Sequence, residues 1–489
     1  MMRILFVASE GLPFSKTGGL ADVIEALPKA LVALGHQVAV VLPRYRRTPA
    51  TGAILSRLAV PMGGSVRSPA ILDGARVNGV QYFFVEDPEY FDRDHLYGPR
   101  GADYPDNAQR FAEFSRASIE LARQVWKPDV FHCHDWQSAL VPVLLRTQCG
   151  GDPDLRELPV VLTVHNMGYQ GLFPRETMKR AGLPESLFNL NGLEYYNQVN
   201  YLKGGLLYAD YLTTVSRKYA QEIQTAEYGH GLEGVVQSRS GRLAGILNGA
   251  DYTVWDPAHD KLIAAQYSAQ DLSGKQRCKK DLLQQFRLPP GNLERPLAGI
   301  VSRFADQKGF DLLEEVADEL LEEELVIVAL GAGQARHERK LRQLAQRYPA
   351  RMAVKISYDN TLAHKVEAGA DLFLMPSRYE PCGLNQIYSL RYGTVPVVRA
   401  TGGLDDTIEA YDARSGQGTG FKFREYSGPA LLQAVREALT VYGDPSAWRR
   451  LQTSGMAKDF SWKASATEYG RLYQTARETR IRNAVGASK

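Results

Sequence analysis

Short apolar runs alternate with helix-patterned stretches along nearly the whole chain, and that alternation restricts the fold more than any other feature of the sequence. The first series of strand-like runs comprises Arg3–Ser9, Gln37–Pro43, Tyr82–Glu86, Val130–His134, Pro159–His165, Tyr211–Ser216 and Leu243–Leu247. A second follows at Leu297–Arg303, Leu325–Leu330, Met352–Ile356, Asp371–Met375, Val395–Arg399 and Gly420–Phe423. Runs this apolar read as parallel strands buried on both faces. Two successive series predict two doubly wound α/β domains, each with its binding loops at the carboxyl ends of its strands. Turn formers in "NGADYTVWDP" place the join near Asn248–Asp260. The expected boundaries are residues 1–248, 249–460 and a final segment 461–489.

Directly after the first strand stands "SKTGGLADV", Ser15–Val23. The amides of a glycine turn opening a helix can face an anion, and Lys16 can add a point charge, so Lys16 and Gly18 are candidates for holding a phosphate. A close-packed strand-to-helix turn with a solvated lysine is the alternative. The turn is neither a Walker loop nor a dinucleotide fingerprint, since neither glycine spacing is present. "ATGGLDDT" at Ala400–Thr407 repeats it after a later strand. Two domains facing each other with such turns would enclose a ligand; chance is the alternative, made less attractive by the matching strand-to-turn context, and a repeated packing turn is another.

Other strand ends carry chemistry. In "VSRFADQKGFD", Arg303 and Lys308 can converge on an anion and stabilise a departing diphosphate, or remain solvated surface charges. In "PSRYEPCGLNQ", Pro381 and Gly383 shape a turn that leaves Glu380 beside free amides, a combination suited to sugar hydroxyls. The same acid could instead be a loop or helix-terminal charge. "TVHNMGYQG" sets His165 and Asn166 at a strand end, where the histidine can bond a substrate hydroxyl or serve the structure alone. His132, Cys133, His134 and Asp135 in "VFHCHDWQS" superficially suggest a metal, but pleating turns Cys133 away from the histidines and no second His/Cys cluster lies nearby in sequence. Asp135 is better read as a hydroxyl-binding carboxylate, and no metal site is expected. "GAGQAR" has Arg336 where a third dinucleotide glycine belongs, which argues against NAD. Tyr358 either stacks on a nucleobase or packs.

Composition excludes several classes. A formal charge of +3 gives no basis for binding nucleic acid or an anionic membrane. No stretch approaches the ~18 apolar residues of a membrane span, and the N-terminal apolar run is too short for a signal-peptide core, so a cytoplasmic protein is expected. Cys133, Cys149, Cys278 and Cys382 lack metal or scaffold spacing and read as reduced thiols.

With these residues in view, the sequence closely resembles the bacterial glycogen synthases and the related plant starch synthases. The motifs that carry it are "KTGGLADV", "DYPDNAQRF", "HCHDWQSAL", "TVHNMGYQG", "EYYNQVNYLKGGLLYAD", "SRFADQKG", "MPSRYEPCGLNQIYSLRYGTVPVVRATGGLDDT" and "GTGFKF", in the family's order and spread over almost the whole chain. The resemblance implies an α/β protein of the GT-B fold, two Rossmann-like domains with an interdomain active-site cleft, and a C-terminal helical segment crossing back to the first domain. It implies retaining transfer of glucose from ADP-glucose to the nonreducing 4-hydroxyl of an α-1,4-glucan such as glycogen, with no cofactor and no metal. By motif, it implies that Lys16 and Gly18 meet the diphosphate, and that Arg303 and Lys308 neutralise it. Glu380, Cys382 and Gly383 would hold the glucose, the last two through backbone amides, with His165 and Asn166 holding it from the other domain. Asp135 and Asn248 would line the cleft, and Tyr358 would lie against the adenine. Two departures stand out. Tyr388 occupies the position at which many retaining relatives on this fold carry a second glutamate, and Arg217 stands where the family usually has proline. A noncatalytic glycan-binding protein and a different nucleotide-sugar enzyme on the same scaffold are the competing readings.

Overall fold

The computed structural model describes residues 1–49, 52–99 and 102–487. The chain divides into two compact units: Met1–Val215 with Ala220–Leu247 and Trp462–Lys489, and Ser216–Tyr219 with Asn248–Ser461. Ser216–Tyr219 thus leaves the sequence-continuous first stretch. Lys218 donates its amide to Asp406 at 2.8 Å, and Arg217 donates its own to the same carboxylate. Arg217 opens a short helix, Arg217–Glu222, so a non-proline residue at this helix start has its N–H satisfied by Asp406.

Among the described residues the first unit is built on a nine-stranded sheet. Its order is Leu243–Gly245, Tyr211–Thr214, Val160–Val164, Val130–His134, Arg3–Val7, Gln37–Pro43, Val80–Glu86, Ala70–Val77 and Ala53–Leu55. All neighbours pair in parallel except the last two pairs, which are antiparallel. Ile4 to Val7 are fully buried, as a central parallel strand covered on both faces requires. One covering layer pairs the helix Gly19–Ala33 with the long C-terminal helix Trp462–Ala487. The latter turns Trp462, Ala466, Tyr469, Tyr473 and Ala476 into the same core as Leu20, Val23, Leu27 and Leu31, at the four-and-three spacing of a single helix face.

Two strands of this nine-stranded sheet are additions to the sequence reading. Ala70–Val77 returns to Val80–Glu86 through Asn78 and Gly79, both at positive φ (51° and 84°), and Ala53–Leu55 pairs beyond it.

The second unit holds a parallel six-stranded sheet in the order Met352–Ile356, Val326–Gly331, Leu297–Val301, Leu372–Met375, Val395–Arg399 and Phe421–Phe423. Both sheets reverse their winding direction once in the middle. In the first unit this happens between Arg3–Val7 and Val130–His134, and in the second between Leu297–Val301 and Leu372–Met375. A doubly wound sheet opens a crevice at the carboxyl ends of its strands at such a reversal, because the flanking connections depart to opposite faces.

Candidate functional site

In the second unit, the two loops at the reversal carry Arg303, Lys308 and Glu380. The strand expected to reach Arg303 ends at Val301, and the chain then turns through Asp306–Lys308 to Gly309 at φ +73°. A Cβ on Gly309 would stand 1.9 Å from the carbonyl oxygen of Pro376, so this close approach of the two loops needs glycine. Gln307 ties them further. It accepts from the Arg378 amide at 2.8 Å and donates from Nε2 to the Tyr379 carbonyl at 3.2 Å. Lys308 Nζ then lies 2.5 Å from Glu380 Oε2, which also accepts from Ser377 Oγ at 3.1 Å. Glu380 is buried, at 5 % exposure, and Arg303 is exposed, with Nη2 3.4 Å from Gln307 Oε1.

The second T-G-G-L turn supports this loop from below. Gly403 donates its amide to the Glu380 carbonyl at 3.0 Å, and a Cβ on Gly402 (φ +46°) would stand 1.9 Å from that same oxygen. Of the readings open for the repeat, the packing turn fits this contact. Gly383 adopts φ +71°. Burial pushes the Cys382 thiol up to about 12, so its sulfur stays protonated, and the Asn248 amide donates to it. Asn248 Oδ1 is itself buried and meets no partner. Tyr358 is 86 % exposed, so the simple packing alternative does not hold for its ring. Tyr388 stacks on Trp255 with ring centroids 4.0 Å apart, and Trp255 stacks on His364 on a 3.7 Å spacing; an aromatic tier occupies that position.

In the first unit, Gly18 caps the helix Gly19–Ala33, but the turn differs from its expected form. The amides of Thr17 and Gly18 donate to Glu10 at 2.6 and 3.2 Å, and the Thr17 hydroxyl donates to it at 2.6 Å. These amides are therefore taken by a side chain of the same turn, and Lys16 pairs with Asp22 at 2.6 Å. Glu10 was missed because nothing in its position, seven residues ahead of Thr17, shows that the chain folds back over it. Burial pushes its carboxyl above the ordinary range, against the lowering effect of those bonds.

Asp135 is held at φ +55°, in the left-handed region. It accepts the amides of His165, at 2.7 Å, and of Asn166, while burial pushes its carboxyl up to about 7. The carboxylate thus pins the end of the strand Val160–Val164. Asn166 Oδ1 closes a turn by accepting the Gly168 amide at 2.9 Å. His132 is not poised for a metal: Nδ1 meets Tyr473 Oη and Nε2 meets Thr163 Oγ1, both at 2.7 Å. Among the described residues, no group of three or more His, Cys, Asp or Glu is arranged to hold a metal ion, and no helix is long and apolar enough to cross a membrane.

Residues 3–238 match the starch synthase catalytic domain, and residues 285–450 match the glycosyl transferases group 1 domain. The glycogen synthase of Koribacter versatilis is 57 % identical over 483 residues, covering 98 % of this chain and 99 % of that protein. The chain belongs to the glycogen and starch synthase family. Another family member, glycogen synthase 2 of Geobacter sulfurreducens, is 45 % identical over 98 % of this chain and all of its own length. The catalytic domain of starch synthase IV from Arabidopsis thaliana, solved with ADP and acarbose, superposes with a TM-score of 0.89 at 33 % identity, covering 98 % of this chain and 99 % of that one. Sucrose-phosphate synthase from Thermosynechococcus elongatus shares the fold at a TM-score of 0.63, 18 % identity and coverage of 97 % and 99 %. The glycogen and starch synthase fold, two doubly wound α/β domains of the GT-B class, is the one expected from the sequence.

Proposed function

We infer that this family member is a retaining glucosyltransferase that moves glucose from ADP-glucose to the nonreducing 4-hydroxyl of an α-1,4-glucan, the elongation step of glycogen synthesis. The observation that carries the reading is the convergence of Lys308, Glu380 and the Gly383 turn at the sheet reversal of the second unit. A cation beside a carboxylate and a glycine turn is matched to a sugar bound through its hydroxyls to a departing diphosphate.

In this reading Lys308 and Arg303 take up charge as the bond from glucose C1 to the diphosphate oxygen breaks. Lys16 and Gly18 meet the same diphosphate, with Gly18 contributing close backbone approach. Glu380 and the amides of Cys382 and Gly383 hold the glucose hydroxyls, and His165 and Asn166 bind the sugar as well. Asp135 sets their strand end, Asn248 offers its unpartnered Oδ1, and Tyr358 lies against the adenine. A new bond forms from C1 to the acceptor 4-oxygen on the face the diphosphate leaves. The acceptor proton passes to a phosphate oxygen, so no protein nucleophile is assigned. The cations supply the charge stabilisation, and the reaction requires no metal or cofactor, no nucleic acid and no membrane. We place the enzyme in the cytoplasm.

The test supplies purified protein with glycogen and either labelled ADP-glucose or labelled UDP-glucose, with no added metal, and counts label in the precipitated polymer. Incorporation from ADP-glucose is expected. Incorporation from UDP-glucose alone overturns the nucleotide assignment. Absence of label from both donors with folded protein favours a glycan-binding protein.

A further inference from the structure

The "HCHDW" segment holds a second histidine that the reaction outlined above leaves unused. The strands Val130–His134 and Val160–Val164 pair in parallel with His134 opposite Thr163. That register brings the imidazole of His134 to that of His165, two residues further on, with Nδ1 of the first 3.0 Å from Nε2 of the second. One proton is shared across this contact, so one ring donates and the other accepts.

The surroundings of His134 decide which. Its ring is fully buried, stacked on Phe6 (centroids 5.3 Å apart, 17° between planes) and 4.1 Å from the centroid of His132. Its Nε2 is sealed off with no hydrogen-bond partner. If Nε2 carried the proton, a buried N–H would be left with no acceptor, the costlier arrangement. If Nδ1 carries it, only an unused lone pair is buried and the N–H is satisfied by His165. Burial also pushes His134 well below the ordinary 6.5 and His165 to about 3, so both rings are neutral and each has one N–H to place.

We propose that His134 is a positioning residue: it donates its Nδ1 proton to Nε2 of His165 and so fixes His165 as the Nδ1–H tautomer, leaving that N–H as a donor to a hydroxyl of the transferred sugar. The last step rests on the sugar-binding role given to His165 above. Asp135 fixes the His165 backbone by accepting its amide, while His134 fixes the ring and its tautomer. A neutral ring with its Nε2 lone pair already used is a hydrogen-bond donor to the sugar. It is neither a proton donor of the general-acid kind nor a base, which agrees with a reaction in which the acceptor proton leaves on the diphosphate.

The test combines spectroscopy with rescue. Nitrogen-15 NMR of histidine-labelled protein without substrate, assigned with His165→Ala and His134→Asn, is expected to show His165 protonated at Nδ1 and bare at Nε2. The opposite tautomer, or an imidazolium at pH 7, overturns the proposal. In kinetics, His134→Asn sets an amide nitrogen near the place of Nδ1 and is expected to retain kcat within about threefold, whereas His134→Leu, folded by circular dichroism, is expected to lose at least tenfold with little change in glucan KM. Equal losses in the two variants, or none in His134→Leu, contradict a positioning role. Because the tautomer is read without substrate, an active His165→Ala variant beside the expected spectrum removes the sugar contact and leaves the His134 bond standing.

Discussion

Lys308 Nζ lies 2.5 Å from Glu380 Oε2, although the two residues are 72 positions apart and sit on different loops. The contact exists because Leu297–Val301 and Leu372–Met375 are neighbours where the second sheet reverses direction, so the loops leaving them meet. Neither charge is left alone in a largely buried setting, which would cost more than the pair gains. In the reaction proposed above, the same contact would tie the group that takes up leaving-group charge to the group that holds the sugar.

Lys308→Ala is expected to lower kcat by at least about 10²-fold, the scale for removing one preorganised charge-stabilising group. Steady-state kinetics with ADP-glucose and glycogen measures this. Turnover within threefold of the unsubstituted enzyme takes Lys308 out of the mechanism.

Gly402→Ala probes the support under Glu380. The new Cβ would stand 1.9 Å from the Glu380 carbonyl, at a φ of +46° that side chains resist. A loss of about 1–3 kcal/mol in stability is expected, together with reduced turnover as the loop shifts. Chemical denaturation and kcat report the two effects, and an unchanged variant contradicts the packing role given to this turn.

Gly18→Ala separates folding from ligand approach. Gly18 has φ −149°, open to any residue, and an added Cβ would meet only Glu10 Oε1, at 3.7 Å. Stability is expected to stay within about 0.5 kcal/mol. If the diphosphate approaches this backbone, the KM for ADP-glucose rises; an unchanged KM removes Gly18 from the donor site.

The buried histidines make an acid-side prediction. Burial, reinforced by His165, holds His132 well below 6.5 in the folded protein. As pH falls through about 6.5 the unfolded chain therefore binds a proton that the folded chain refuses, and stability is lost as pH falls. His132→Gln keeps an amide near Nε2 and removes this linkage. The stability of the unsubstituted protein relative to the variant is expected to fall by up to ~1.4 kcal/mol per pH unit below pH ~6. Denaturant titrations at several pH values check it, and parallel curves contradict it.

The central strands were legible because a strand buried on both faces must be largely apolar, as residues 4–7 and Leu372–Met375 are throughout. Ala70–Val77 was not, since a strand with one solvated face alternates and carries Asp73 and Arg76 among its apolar residues. Its hairpin was nonetheless announced by Asn78–Gly79, a pair suited to two successive positive φ values. Among candidate site residues, those in or just before the loops that follow strands stood out because the strands pointed to them: Arg303, Lys308, Glu380, His165 and Asp135. Glu10 and the His134–His165 bond depend on which strands become neighbours and on how a turn folds over itself, and neither is written in local spacing.

The stereochemistry of the first transfer tests the central claim most directly. Maltooligosaccharide extended by one residue from ADP-glucose is examined by proton NMR at the new glycosidic anomeric centre. An α-1,4 linkage with ADP released in equal amount is the predicted result; a β linkage, or free glucose in place of extended glucan, contradicts the account.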